Sequence, residues 1–195
     1  MKPQVMLTKL LFHLVAILPL IGLIYAVNFN QLSADPAKDI QHFTGITTLR
    51  LLVIVSLIPL IAQLSGWTTL FQVRKLLGLW CFCWATLHLS SYLLLEIGWG
   101  NIAFFFSEIF SRTYLVIGLA SWFILFLMAL SSFEWVRVNL VIWWKRVHAL
   151  FYPVLLLVIL HYILSLKTLT PEPFVYLMLI LLSYMSRFIR FGKAK

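Results

Sequence analysis

Six acidic residues and two cysteines are all the carboxylate and thiol chemistry in this 195-residue chain. That scarcity excludes several functions. No paired carboxylates, Ser/His/Asp arrangement or glycine-rich phosphate loop stands out, so hydrolysis and phosphoryl transfer have no support. Cys81 and Cys83 form a C-x-C pair inside an apolar run. At about 100° per residue their side chains would point about 200° apart on a helix. A disulfide or a zinc pair is therefore not expected, and both read as small buried apolar residues. Charge of either sign is also sparse: 11% of residues are charged and 63% are hydrophobic. Soluble domains average about 25% charged and about 45–50% apolar, so a soluble domain is excluded. The net charge of +9 does not indicate nucleic acid, because the basic residues sit in short clusters between apolar runs. That is the pattern of membrane topology signals.

What the chain has in quantity is apolar sequence. A span needs about 20 apolar residues, and six segments qualify: Leu7–Val27, Thr48–Ser65, Leu76–Ile97, Tyr114–Ser131, Val147–Leu166 and Phe174–Ile189. The expected fold is an all-α integral membrane protein, one six-helix bundle over residues 1–195 without a separate soluble domain. Lys2 and Lys9 precede the first apolar run in the manner of a signal peptide, but no A-x-A site closes it, so it reads as a retained span. Residues 28–47 read as the longest loop, with turn chemistry at Asp35-Pro36 and Gly45. Eleven of the fifteen basic residues fall on one side together with both termini. The positive-inside rule makes that side cytoplasmic. Trp143 and Trp144 fit an aromatic belt at the inner interface, and Trp99 one at the outer. The location implied is a membrane, with lipid as the surrounding partner.

Histidines are the polar groups that the spans carry. A neutral imidazole in lipid needs partners, because an unpaired polar group there costs several kcal/mol, and ionisable residues within spans mark candidate sites. His88 lies thirteen residues past Lys75, and His161 fifteen past Arg146. At about 1.5 Å per residue both sit about 20 Å above the inner charge cluster, on parallel helices. Such a pair can clamp a haem from opposite faces. The plainer alternative is a hydrogen bond between helices. His148 and His13 are shallow and inner, and either is a candidate for an inner haem. His148 and His161 would point about 140° apart on a straight helix, and Pro153 between them should kink it. Thirteen residues before His88 stands Lys75, so the third span offers His148 no partner.

Arg74, Lys75, Arg137, Lys145 and Arg146 form an inner cluster suited to propionates or a flavin phosphate, or to lipid headgroups. Arg50 is a candidate for an outer propionate or an interfacial snorkel. His42 in the expected outer loop, beyond reach of the paired histidines, is a loop contact or, with Asp35 and Asp39, part of a partner or quinone site. Glu96 and Glu108 read as solvated.

Four stretches carry a resemblance: ADPAKDIQHFTG (Ala34–Gly45), RKLLGLWCFCWATLHLSSY (Arg74–Tyr92), KRVHALFYP (Lys145–Pro153) and LHYILSLK (Leu160–Lys167). In these the chain resembles the MsrQ (YedZ) family, within the ferric-reductase-like transmembrane superfamily. The resemblance implies a b-type cytochrome subunit with haem b and FMN, and His88, His148 and His161 as haem-associated histidines. It implies electron transfer from a quinol or a cytoplasmic flavin reductase to a periplasmic, molybdenum-containing catalytic partner of the MsrP type. That partner, not this chain, would reduce methionine sulfoxide. The oxidase branch of the superfamily carries two histidines on each of these spans and a cytoplasmic flavin and nicotinamide domain. This chain lacks the second histidine on its third span and lacks that domain. Two other function classes remain open at this stage, a transporter or channel relaying protons through span histidines, and a non-catalytic membrane anchor.

Overall fold

The computed structural model describes residues 3–98, 100–168 and 170–192, without the side chains of 187–192. Trp99, Lys2, Lys193 and Lys195, and the side chains of Arg187 and Arg190, lie outside the described residues. Among the described residues there are helices and no strands. In chain order they are α1 (Pro3–Asn28), α2 (Pro36–Ser65), α3 (Leu70–Ser91) with a π-helical continuation π1 (Tyr92–Ile97), α4 (Ile102–Ser111), α5 (Thr113–Ser131), α6 (Glu134–Asn139), α7 (Val141–Ala149), α8 (Phe151–Ser165) and α9 (Glu172–Gly192).

Among the described residues, five segments are long and apolar enough to cross a membrane: Pro3–Asn28, Pro36–Ser65, Leu70–Ile97, Thr113–Ser131 and Val141–Ser165. The sixth expected span is helical as α9, but its apolar described part, Glu172–Ser186, is shorter than a span. The outer surface of the bundle is apolar, with Leu7, Leu14, Leu18 and Ile21 exposed along α1. Such a surface suits lipid, in which helices associate through packing and interhelical hydrogen bonds.

Helix α2 is the centre of the bundle, with Leu49, Leu52 and Ile58 almost fully buried. It packs most extensively on α3, and α5 packs on α8. Polar atoms tie further helices to this frame. Trp84 Nε1 on α3 donates to the Ala16 carbonyl of α1 at 3.0 Å. Ser183 Oγ on α9 donates to the Ser56 carbonyl of α2 at 2.8 Å.

Three expectations need correction. Residues 28–47 are not a loop, because α2 begins at Pro36. Pro36 occupies the first helical position, where its missing N–H is harmless. Asp35 caps the helix by accepting the Lys38 N–H, and Asp39 accepts the Ser33 N–H at 2.6 Å. Gly45 is therefore a mid-helix residue, not a turn glycine. The kink expected in the fifth span, by contrast, is present: α7 and α8 meet at Leu150, three residues before Pro153. Proline leaves the carbonyl four residues earlier without a helical donor, and the break falls there. Cys83 is exposed on the apolar surface, whereas Cys81 is buried as expected.

Candidate functional site

Where α2 and α5 begin and α3 and α8 end, the helices enclose a cavity of about 650 Å³. Cofactor pockets commonly measure about 300–1,000 Å³. His88 from α3 and His161 from α8 both line it. Their ring centroids are 6.1 Å apart and their planes cross at 77°. A metal–imidazole bond is about 2.0 Å, and the ring centroid lies about 1 Å beyond the nitrogen, so two imidazoles on opposite sides of one metal stand about 6 Å apart. The observed separation matches that geometry.

Each ring is also oriented chemically. His88 Nδ1 lies 2.9 Å from the Gln41 carbonyl oxygen of α2, and His161 Nδ1 lies 2.7 Å from the Tyr114 carbonyl oxygen of α5. A carbonyl oxygen only accepts, so each Nδ1 carries the proton and each Nε2 keeps its lone pair. This is the tautomer a metal-binding histidine needs, with the far nitrogen bonded to a backbone oxygen. The Thr44 hydroxyl lies 3.4 Å from the same His88 nitrogen. Two glycines complete the arrangement, Gly45 against His88 and Gly118 against His161.

The cavity wall is apolar at depth, through Leu49, Leu119, Leu125 and Val158, and charged at its rim, through Lys38, Glu96, Glu108, Arg112 and Lys167. Arg112 pairs with Glu108 at 3.0 Å. An apolar, planar macrocycle with charged edges fits that gradient. Among the described residues no cluster of three or more His, Cys, Asp or Glu side chains could hold a metal ion. Two imidazole nitrogens suit a haem iron, whose macrocycle supplies further ligands.

His42 also lines the cavity and faces Tyr162, centroid to centroid 6.3 Å. The sequence had set it in a loop away from the paired histidines, and the early start of α2 brings it to their cavity. Glu96 and Glu108 stand at the cavity rim, Glu96 exposed and Glu108 paired with Arg112. Asp35 and Asp39 are engaged at the α2 N-terminus. Arg50 turns to α9, where its Nε donates to the Tyr176 hydroxyl at 2.8 Å and its Nη2 meets Glu172 at 3.4 Å.

His148 does not join this cavity. Its ring lies 4.8 Å from that of Trp144, and its Nδ1 approaches the Trp144 carbonyl at 3.2 Å and Ser131 Oγ at 3.4 Å. His13 Nδ1 accepts the Trp80 Nε1–H at 3.0 Å. In the inner cluster, Arg137 pairs with Glu134 at 3.2 Å, and Arg146 lies over the Trp143 ring at 5.8 Å. Arg74 is within electrostatic reach of His148, and Lys75 and Lys145 are exposed.

Gln41, Gly45, Tyr114 and Gly118 were missed as site residues. Two act through backbone carbonyls that any residue carries, and two through a missing side chain. The rim cations Lys38, Arg112 and Lys167 were visible only as outer charges.

The model of the ferric reductase like transmembrane component matches residues 42–159, a range that begins at His42 and contains His88, Gly118 and His148 but stops short of His161. The chain is 44% identical, over 96% of its length and 94% of theirs, to the protein-methionine-sulfoxide reductase heme-binding subunits MsrQ of Salmonella arizonae and Salmonella enteritidis PT4. It is 43% identical, with the same coverage, to that of Salmonella paratyphi B. No solved structure matches the chain. Identity at that level across nearly the whole length joins the histidine cavity to a known lineage: the chain belongs to the ferric reductase-like transmembrane family, among its MsrQ members.

Proposed function

We propose that this chain is the haem-carrying electron conduit of a methionine-sulfoxide reductase system, with one low-spin haem b held between His88 and His161. The observation that carries the reading is the facing pair of imidazoles, 6.1 Å apart, each with its Nδ1 held by a backbone carbonyl. Haem bound there would supply one-electron transfer. The residues of the chain do the rest. His88 and His161 each present a basic Nε2. Leu49, Leu119, Leu125 and Val158 would exclude water from the macrocycle, and Lys38, Arg112 and Lys167 would offset propionate charge at the rim. Arg50 remains a propionate candidate only if it leaves Glu172.

The finer reading follows from charge and kinship. Both termini face the cytoplasm and α9 is a sixth span, so the haem cavity opens toward the periplasm. The acceptor is a molybdenum-containing catalytic subunit of the MsrP type, which repairs oxidised periplasmic proteins at the bacterial inner membrane. Asp35, Asp39 and His42, at the same end as the cavity, are candidates for its docking or for quinone contact. His148, with Arg74, Lys75, Arg137, Lys145 and Arg146, marks the inner end, where a propionate, a second haem or the FMN phosphate would find cations. The donor is a quinol or a cytoplasmic flavin reductase. Sulfoxide reduction itself belongs to the partner.

The test is haem and flavin quantification on the purified protein, with spectra before and after dithionite. The reading requires about one haem or more per chain and a Soret band that shifts on reduction. A colourless, folded protein would contradict it and favour transport through the span histidines.

A further inference from the structure

The same local arrangement occurs twice around the cavity, on different helix pairs. His88 of α3 reaches the carbonyl of residue 41 on α2, and residue 45, four positions on, is glycine. His161 of α8 reaches the carbonyl of residue 114 on α5, and residue 118, again four positions on, is glycine. The spacing has a physical reason. Within an α-helix the carbonyl of residue i already accepts the N–H of residue i+4, and a second lone pair remains for an outside donor. Every Cα–Cβ bond tilts toward the helix N-terminus, so the side chain at i+4 overhangs the carbonyl of residue i. A side chain at i+4 need not close the carbonyl, since Trp84 reaches the Ala16 carbonyl past Leu20, but at residues 45 and 118 the ring arrives where a Cβ would stand.

The distances show how fully the space is used. A Cβ at residue 45 would lie 3.0 Å from His88 Cε1 and 3.2 Å from its Nδ1. A Cβ at residue 118 would lie 2.7 Å from His161 Cε1 and 2.8 Å from its Nδ1. In both cases the obstacle is an imidazole ring already held by its hydrogen bond, not the loose end of a flexible chain. Gly78 on α3 has nothing within 4 Å of such a position. Being glycine in a helix is therefore not what distinguishes the pair.

From this we infer that Gly45 and Gly118 are positioning residues for the two axial ligands: they open the Gln41 and Tyr114 carbonyls to the Nδ1–H of His88 and His161. They thereby fix the ligand tautomer and the strength with which each Nε2 donates. The inference rests on the haem reading above. A hydrogen bond at Nδ1 raises the basicity of the imidazole, which stabilises the ferric state of iron bound at Nε2. Pushing the ring off its carbonyl weakens that donation, so the midpoint potential rises. The hindrance is more severe at residue 118, so its effect is the larger.

The experiment is redox titration and low-temperature EPR of purified, haem-loaded wild type, Gly45→Ala, Gly118→Ala and Gly78→Ala. Alanine is a better helix former than glycine, so a weakened helix cannot explain a change. The expected result is a raised midpoint potential and a shifted low-spin signal in Gly118→Ala, a smaller change in Gly45→Ala and none in Gly78→Ala. Wild-type potential and EPR in haem-loaded Gly118→Ala would overturn the inference, as would an equal shift in Gly78→Ala. Should Gly118→Ala retain no haem, Gly45→Ala decides: a shifted potential supports the inference and an unchanged one overturns it. A wild type without a bis-histidine signal would overturn the haem reading itself, and this inference with it. That outcome is read from the wild type before any variant is compared.

Discussion

Arg50 on α2 and Glu172 in the first turn of α9 meet at 3.4 Å, and Tyr176 joins them by accepting from Arg50 Nε at 2.8 Å and donating to Glu172 at 3.1 Å. Tyr162 of α8 donates to the same carboxylate at 3.2 Å, so one acidic residue links three helices at the cavity end of the bundle. The pair is largely exposed, and exposed pairs contribute no more than about 1 kcal/mol. Arg50→Ala is expected to lower thermal stability in detergent slightly and to leave the haem midpoint potential unchanged. A shifted potential would instead place the guanidinium on a propionate.

A second prediction concerns how α9 is held. Ser183 donates to the Ser56 carbonyl in a buried contact, and interhelical hydrogen bonds in membrane proteins average about 0.6 kcal/mol. Ser183→Ala should therefore cost about that amount in reversible unfolding. A loss of several kcal/mol would mean that the hydroxyl, rather than packing, holds the helix.

Asp35 offers a pH test. Lys38, through its ammonium group and its backbone N–H, holds the Asp35 carboxyl below its ordinary value of 3.8. A depressed folded-state pKa contributes stability that is complete above the ordinary value and lost as pH falls through the lowered one. Amide protection in the first turn of α2 should therefore stay constant across the neutral range and fall only in strong acid. Asp35→Ala should lose part of that protection already at neutral pH, because the cap is gone. A decline already near neutral pH would contradict the capping role. Weakened electron delivery with unchanged protection and spectrum would assign Asp35 to the partner interface.

The helices and the approach of His88 to His161 were largely legible because apolar length and depth are counted along the chain. Helix α2 was misread at its start for an identifiable reason. Lys38, Asp39, Gln41, His42 and Thr44 are too polar for a lipid-facing helix and so read as loop. Several of them face a cavity instead, where polar groups have partners. The carbonyls of Gln41 and Tyr114 left no mark at all, since every residue carries one. Gly45 did leave a mark and was read as a turn, because the ring that needs its space comes from a helix more than forty residues away. The short α4, whose Phe104, Glu108 and Ile109 close one side of the cavity, was hidden by its length, being too short to register as a span.

The proposed direction of electron flow rests on topology. A C-terminal reporter active only in the periplasm is expected to stay silent, given the eleven-to-four split of basic residues. Strong activity would reverse the orientation and put the haem cavity on the cytoplasmic side.

The most direct test of the account is the optical and low-temperature EPR spectrum of three single variants, His88→Ala, His161→Ala and His148→Ala. His88 and His161 face each other at 6.1 Å, whereas His148 stacks on Trp144 outside that cavity. Loss of the same low-spin haem signal is predicted for His88→Ala and for His161→Ala, since either leaves one axial position open. His148→Ala should keep that signal and disturb only a cofactor at the inner end. Loss of the signal in His148→Ala together with its survival in His161→Ala would contradict the account and make His148 the partner of His88.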